Sequence, residues 1–124
     1  MVKTSFDLSA GLVTHIAEGE LSLEEIESEF AATILNPAFR SGLAVLWDLR
    51  AASLASLSTR GIETLVKFNY DRKDARGGGR AAIVVSQDLD YGIARVFQVY
   101  GEDLPWETMV FRDFEEANAW VRGS

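Results

Sequence analysis

The sequence predicts an α/β fold in the order ββαβαβαβα, a mainly parallel sheet introduced by a hairpin. Two continuous apolar runs, Gly42-Leu43-Ala44-Val45-Leu46-Trp47 and Ala81-Ala82-Ile83-Val84-Val85, have the composition of strands covered on both faces. Stretches with helical spacing of apolar residues alternate with them. That alternation requires parallel strands joined by right-handed crossovers.

The first element is a short hairpin, Phe6-Asp7-Leu8 against the β-branched run from Leu12 to Gly19, turning at Ser9-Ala10-Gly11. Ser22 stands three residues before Glu25, a capping-box spacing in which each side chain satisfies a free backbone donor of the other. A helix therefore begins there, with Leu23, Ile26, Phe30 and Ile34 on one stripe, and Asn36-Pro37 ends it. The Gly42 to Trp47 run, closing at Asp48, is a central strand. Arg50 to Ser58 is small and polar and reads as a loop. A second helix runs from Thr59 to about Lys73, with Ile62, Leu65, Val66 and Asn69 on one face. Arg76-Gly77-Gly78-Gly79-Arg80 breaks the chain ahead of the next strand, Ala81 to Ser86. Asp88 or a neighbour caps a third helix that Gly101 ends. Thr108 to Phe111 is the last strand, and Asp113 with Glu116 has a second capping-box spacing before the last helix.

At 124 residues the chain is expected to be one domain, 1–124, that buries roughly two-thirds of its extended surface. Its 12 basic against 19 acidic side chains give a net charge of −7, which repels nucleic acid unless a local patch reverses the sign. The absence of Cys removes thiol nucleophiles, zinc–thiolate sites and iron–sulfur clusters, and fits a reducing compartment. No secretory signal and no apolar run of about 20 residues is visible, so the expectation is a cytoplasmic protein without integral membrane association. No cofactor motif is present. The triple glycine runs from helix into strand, the reverse of a phosphate-binding loop, and lacks the Lys-Ser/Thr pair.

Several segments resemble the SpoIIAA-like proteins: Glu18-Gly19-Glu20-Leu21-Ser22 leading into a helix, Trp47-Asp48-Leu49-Arg50, Arg80-Ala81-Ala82-Ile83-Val84-Val85, Tyr91-Gly92-Ile93-Ala94-Arg95-Val96-Phe97, and Val110-Phe111-Arg112-Asp113-Phe114 through Trp120. The resemblance covers nearly the whole chain. It implies a small bacterial domain of STAS-like fold, akin to the CRAL-TRIO lipid-binding fold, and a mostly undetermined biochemical role. STAS antagonists of anti-sigma factors are phosphorylated on a hydroxyl just before a glycine. Here that stretch is Leu57-Ser58-Thr59-Arg60-Gly61, with Arg60 in the acceptor position. Ser58 and Thr59 remain candidates at a helix N-terminus, where backbone donors favour a phosphate, although Ser58 is also a natural helix cap.

Chemistry-bearing residues are few. Asp48, Ser86 and Arg112 are expected at strand ends, the place where open α/β sheets gather ligands, and would be the groups of an enzyme. A receiver-domain reading fails because no acidic pair follows the first strand. His15, the single histidine, has no nucleophile elbow to serve and reads as a surface or core-satisfied residue. The acidic stretch Glu18 to Glu29 reads as a solvated face, and no metal site is assigned. Lys67, Arg72, Lys73, Arg76 and Arg80 form a basic cluster that suits an anionic partner, or else a mobile turn. The third helix is apolar over more than one stripe, Ile93, Val96 and Tyr100 on one line and Leu89, Tyr91, Ala94 and Phe97 on another, and Trp106 follows it. Surplus apolar surface of this kind serves a ligand or a partner. The resulting expectation is a non-catalytic binding or regulatory domain for a protein partner, for a homodimer, or for a small apolar or anionic ligand. The candidate binding residues are Ser58, Thr59, Ile93, Val96, Phe97, Tyr100 and Trp106. A lipid or fatty-acid carrier is the alternative.

Overall fold

A computed structural model describes residues 1–123. The elements follow the predicted order with one short helix, α3, added after α2: β1 (Val2–Asp7), β2 (Leu12–Glu20), α1 (Leu23–Leu35), β3 (Ala44–Ser53), α2 (Thr59–Asp71), α3 (Lys73–Arg76), β4 (Ala81–Val84), α4 (Asp88–Tyr100), β5 (Thr108–Phe111) and α5 (Phe114–Val121). One sheet contains all five strands in the order β1-β2-β3-β4-β5, antiparallel between β1 and β2 and parallel thereafter.

Because spatial order equals chain order, right-handed crossovers place every connecting helix on the same face. Side chains alternate accordingly. Ala17, Leu49, Ile83, Val85 and Val110 point toward Ile26 of α1 and Ile93, Ala94 and Phe97 of α4. Leu12, Leu46, Ala82 and Val84 point the other way, toward Phe114, Ala117 and Val121 of α5. The sheet is thus a middle layer, with three crossover helices on one side and α5 on the other.

Local chemistry explains most boundaries. Ser22 and Glu25 form the reciprocal capping box, each accepting from the other's backbone N–H at 3.1 Å. Ser58 caps α2 by accepting from Gly61 N–H at 3.0 Å. Three further features depart from the sequence expectation. β3 continues past Asp48 to Ser53, because after a bulge at Ile16/Glu18 the backbone of Glu18, Gly19 and Glu20 supplies ladder partners to Ala51, Ala52 and Ser53. Gln87 precedes α4 without a side-chain cap, and Asp88 is the first residue of the helix. Asp113 caps α5 by accepting from Glu115 N–H at 3.0 Å, without a reciprocal box through Glu116.

The triple glycine is packed. A Cβ at Gly79 would collide with the carbonyls of Gly42 and Leu43, and one at Gly77 with the Gly42 backbone and Ser41 Oγ. Gly77 also has φ +78°, and its neighbour Arg76 is buried. Backbone lies directly on backbone here, which only glycine permits. None of the described helices is long and apolar enough to cross a membrane.

Candidate ligand cavity

The face of the sheet beneath α1, α2 and α4 is incompletely filled. A cavity of about 90 Å³ lies between the strands and the helices. Its floor follows the register. His15, Trp47 and Ile83 are successive partners across β2 to β4, and Val45, Ala81 and Thr108 form a neighbouring row across β3 to β5. Its roof carries Ile26, Phe30 and Ile34 from α1, Ile62 and Leu65 from α2, and Ile93, Ala94 and Phe97 from α4.

Against this apolar lining stand a few polar groups. His15 is 2% exposed, and its ring lies on Trp47 with centroids 4.0 Å apart. Its Nδ1 is 2.7 Å from Thr4 Oγ1, and Thr4 Oγ1 donates to the Glu29 carboxylate. A carboxylate only accepts, so Thr4 spends its proton on Glu29 and accepts from His15 Nδ1–H. This fixes the neutral tautomer and leaves Nε2 as a bare acceptor. Burial, with a smaller contribution from the Arg76 charge, pushes the His15 pKa down to about 3.

Arg76 is also 2% exposed. Its guanidinium lies over the Trp106 ring at 4.2 Å. Nη1 donates to Gly79 O at 2.7 Å and Gly77 O at 3.3 Å, and Nη2 donates to Arg80 O at 3.3 Å. The tight glycine turn brings these carbonyls within reach. Burial lowers the Arg76 pKa to about 10, so it keeps its charge at neutral pH. Thr108 Oγ1 is buried without a hydrogen-bond partner. Thr33 Oγ1 donates to Glu29 O and Asn69 Nδ2 to Leu65 O.

The residues singled out from the sequence fall in different places. Ile93, Phe97 and Trp106 line the cavity. Val96 is half-buried outside it, and Tyr100 is exposed with Leu89 and Val99 on the outer side of α4. Ser58 and Thr59 begin α2 on the surface, away from the cavity. Asp48 is mid-strand, on the α5 face, with its carboxylate taken by Arg50 Nε at 2.9 Å and Nη2 at 2.8 Å. That guanidinium holds the Asp48 carboxyl below its ordinary pKa. Ser86 donates to the Arg50 carbonyl at 3.2 Å, while Arg112 pairs separately with Asp88 at 2.6 Å. The three do not converge on one point. The sheet order also never reverses, so the crevice that forms at a reversal is absent from this topology.

The basic cluster disperses. Lys67 pairs with Asp71, Arg72 lies over Phe68, Lys73 over Tyr70 and Arg80 over Trp120, while Arg76 turns inward. No group of three or more His, Asp or Glu side chains suited to a metal ion occurs among the described residues.

Comparison with known proteins gives a likeness of fold. No family model and no curated protein matches the chain. An uncharacterised protein of the DUF3478 family with a SpoIIAA-like fold, from Shewanella loihica PV-4, superimposes with a TM-score of 0.59 over 98% of this chain and 92% of that one, at 18% identity. The chain has a SpoIIAA-like fold. At that identity the likeness concerns architecture, and the SpoIIAA-like frame by itself assigns neither ligand nor activity. Sequence reasoning missed Arg76 and Thr108 as cavity groups. The only local signal was an arginine placed directly before a glycine turn tight enough to wrap it.

Proposed function

We propose that this SpoIIAA-like domain is a non-catalytic binding module that takes a small apolar ligand into the cavity between the sheet and α1, α2 and α4. The observation that carries this reading is the unfilled, mainly apolar space between the sheet and α1, α2 and α4. Ligand sites are typically concave and apolar with a few placed polar groups, and this cavity has both attributes. Its size favours a small ligand over a long acyl chain. A cavity of about 150 Å³ accommodates one benzene, so even a single ring requires the half-buried Phe30, Ile34 or Phe97 to shift outward. A lipid carrier on this frame would need a larger rearrangement of α1 or α4.

Trp47 and Trp106 line the cavity, so ligand uptake can be read from tryptophan emission. Titration with toluene should give a saturable change and a higher melting temperature, since a ligand of the native state alone stabilises it. A linear, unsaturable response with no gain in melting temperature would contradict the reading.

A homodimer or heterologous complex through α4 is a second reading, supported by the outward Leu89, Val99 and Tyr100. Sedimentation of the parent and of Tyr100→Asp tests it. A dimer that the substitution dissociates supports the interface, and a monomer in both removes the homodimer.

A further inference from the structure

The cavity has a polar end whose chemistry narrows the ligand class. Arg76 is the one charged side chain that lines it, and no Asp or Glu does. Buried guanidinium groups are ordinarily paired with an anion. Here the partners are three carbonyl oxygens, which solvate the cation without neutralising it. Of the five guanidinium protons, Nε–H and one on Nη2 have no acceptor among the described residues. Thr108 Oγ1, two residues beyond the Trp106 ring on which Arg76 lies, is buried without a partner. Thr33, Asn69 and His15 have their own hydrogen bonds on the same walls. At the Arg76 and Thr108 end the unmet demand is for an acceptor carrying negative charge, while His15 Nε2 remains an acceptor elsewhere on the wall.

We infer that the ligand is a small carboxylate, its apolar body among Trp47, Phe97 and Trp106 and its carboxylate accepting from Arg76 and Thr108. This rests on the cavity being a ligand site, and it adds the charge and the head group. A planar carboxylate matches the guanidinium edge, accepting from two N–H groups at once. Its single negative charge cancels the single positive one. The apolar lining then accounts for the rest of the molecule.

The test compares benzoate with benzamide, which has nearly the same shape and no charge, by tryptophan emission and calorimetry of the full chain at neutral pH. Benzoate should bind about tenfold or more tightly than benzamide, the difference expected for hydrogen bonds to a charged group. Thr108→Val keeps the shape and removes an unpartnered hydroxyl, so the fold should persist while benzoate weakens several-fold and benzamide, whose carbonyl is an uncharged acceptor, weakens less. Arg76→Gln should abolish the preference. If that variant does not fold, Thr108→Val decides. Equal binding of the two probes by the parent would overturn the carboxylate inference and leave the apolar-cavity reading standing. Saturable binding of neither would overturn the inference, and if toluene also fails, the reading beneath it. A benzoate preference unchanged in Thr108→Val would place the anion elsewhere and overturn this assignment.

Discussion

His15 makes the stability of this protein depend on pH in a range where few other groups contribute. In the unfolded chain its pKa is about 6.5, and in the folded protein burial and Arg76 hold it down to about 3. As pH falls below about 6.5 the unfolded state takes up a proton that the folded state refuses, so stability is fully present above that value and is lost on acidification. Between about pH 7 and pH 5 the loss is about 1.4 pH units of linkage at 1.36 kcal/mol each, or about 2 kcal/mol. Asp7, Glu25 and Asp48 have lowered pKa values, so their contributions are retained until pH falls into the carboxylate range and do not distort this window. Urea unfolding followed by tryptophan emission reads it. With a slope of about 2 kcal/mol per M, the midpoint should fall by about 1 M from pH 7 to pH 5. His15→Phe retains a ring against Trp47 and has nothing to titrate, so its midpoint should be nearly flat over the same range. Parallel parent and variant curves would refute the argument and show that His15 is not held neutral.

Other outcomes follow from the same geometry. Ala94 lines the cavity and is 3% exposed, so Ala94→Leu should fill part of the void, raise the unfolding free energy by about 1 kcal/mol, and weaken toluene binding in the emission assay. Gly79→Ala should cost more than about 2 kcal/mol in thermal melts because its Cβ meets the Gly42 and Leu43 carbonyls, whereas Gly78→Ala, whose nearest contact would be Pro105 O at 3.7 Å, should change little. Asp48→Asn should stay within about 1 kcal/mol of the parent, since its partner Arg50 is half exposed and screened, and a much larger loss would show that this pair matters more than its setting implies.

The fold was legible because parallel strands sandwiched between helices must be apolar on both sides, which makes runs such as Ala81 to Val85 stand out. The capping residues Ser22 and Glu25 were equally readable, because the box is a local arrangement. The second half of β3 was not. Arg50 to Ser53 lacks strand composition, and its place in the sheet comes from backbone pairing with Glu18 to Glu20 of β2, a partner about 30 residues away in the chain. Surplus apolar residues on α4 were visible, but their division into an inward set, Ile93, Ala94 and Phe97, and an outward set, Leu89, Val99 and Tyr100, depends on how the helix rolls onto the sheet. Arg76 looked like one member of a surface cluster. Only the close packing of Gly77 and Gly79 on Gly42 turns it inward, and no local pattern reports that contact. Thr108 carries no signal at all before its hydroxyl is seen to lack a partner.

The central claim is that the space under the crossover helices is a ligand site, and native mass spectrometry of the full chain tests it most directly. Spectra would be recorded as purified, with added toluene and benzoate, and for Ala94→Leu beside the parent. The account predicts a one-to-one complex in the parent that is lost on denaturation and diminished in Ala94→Leu. No complex under any condition, or one retained undiminished when the cavity is filled, would contradict it.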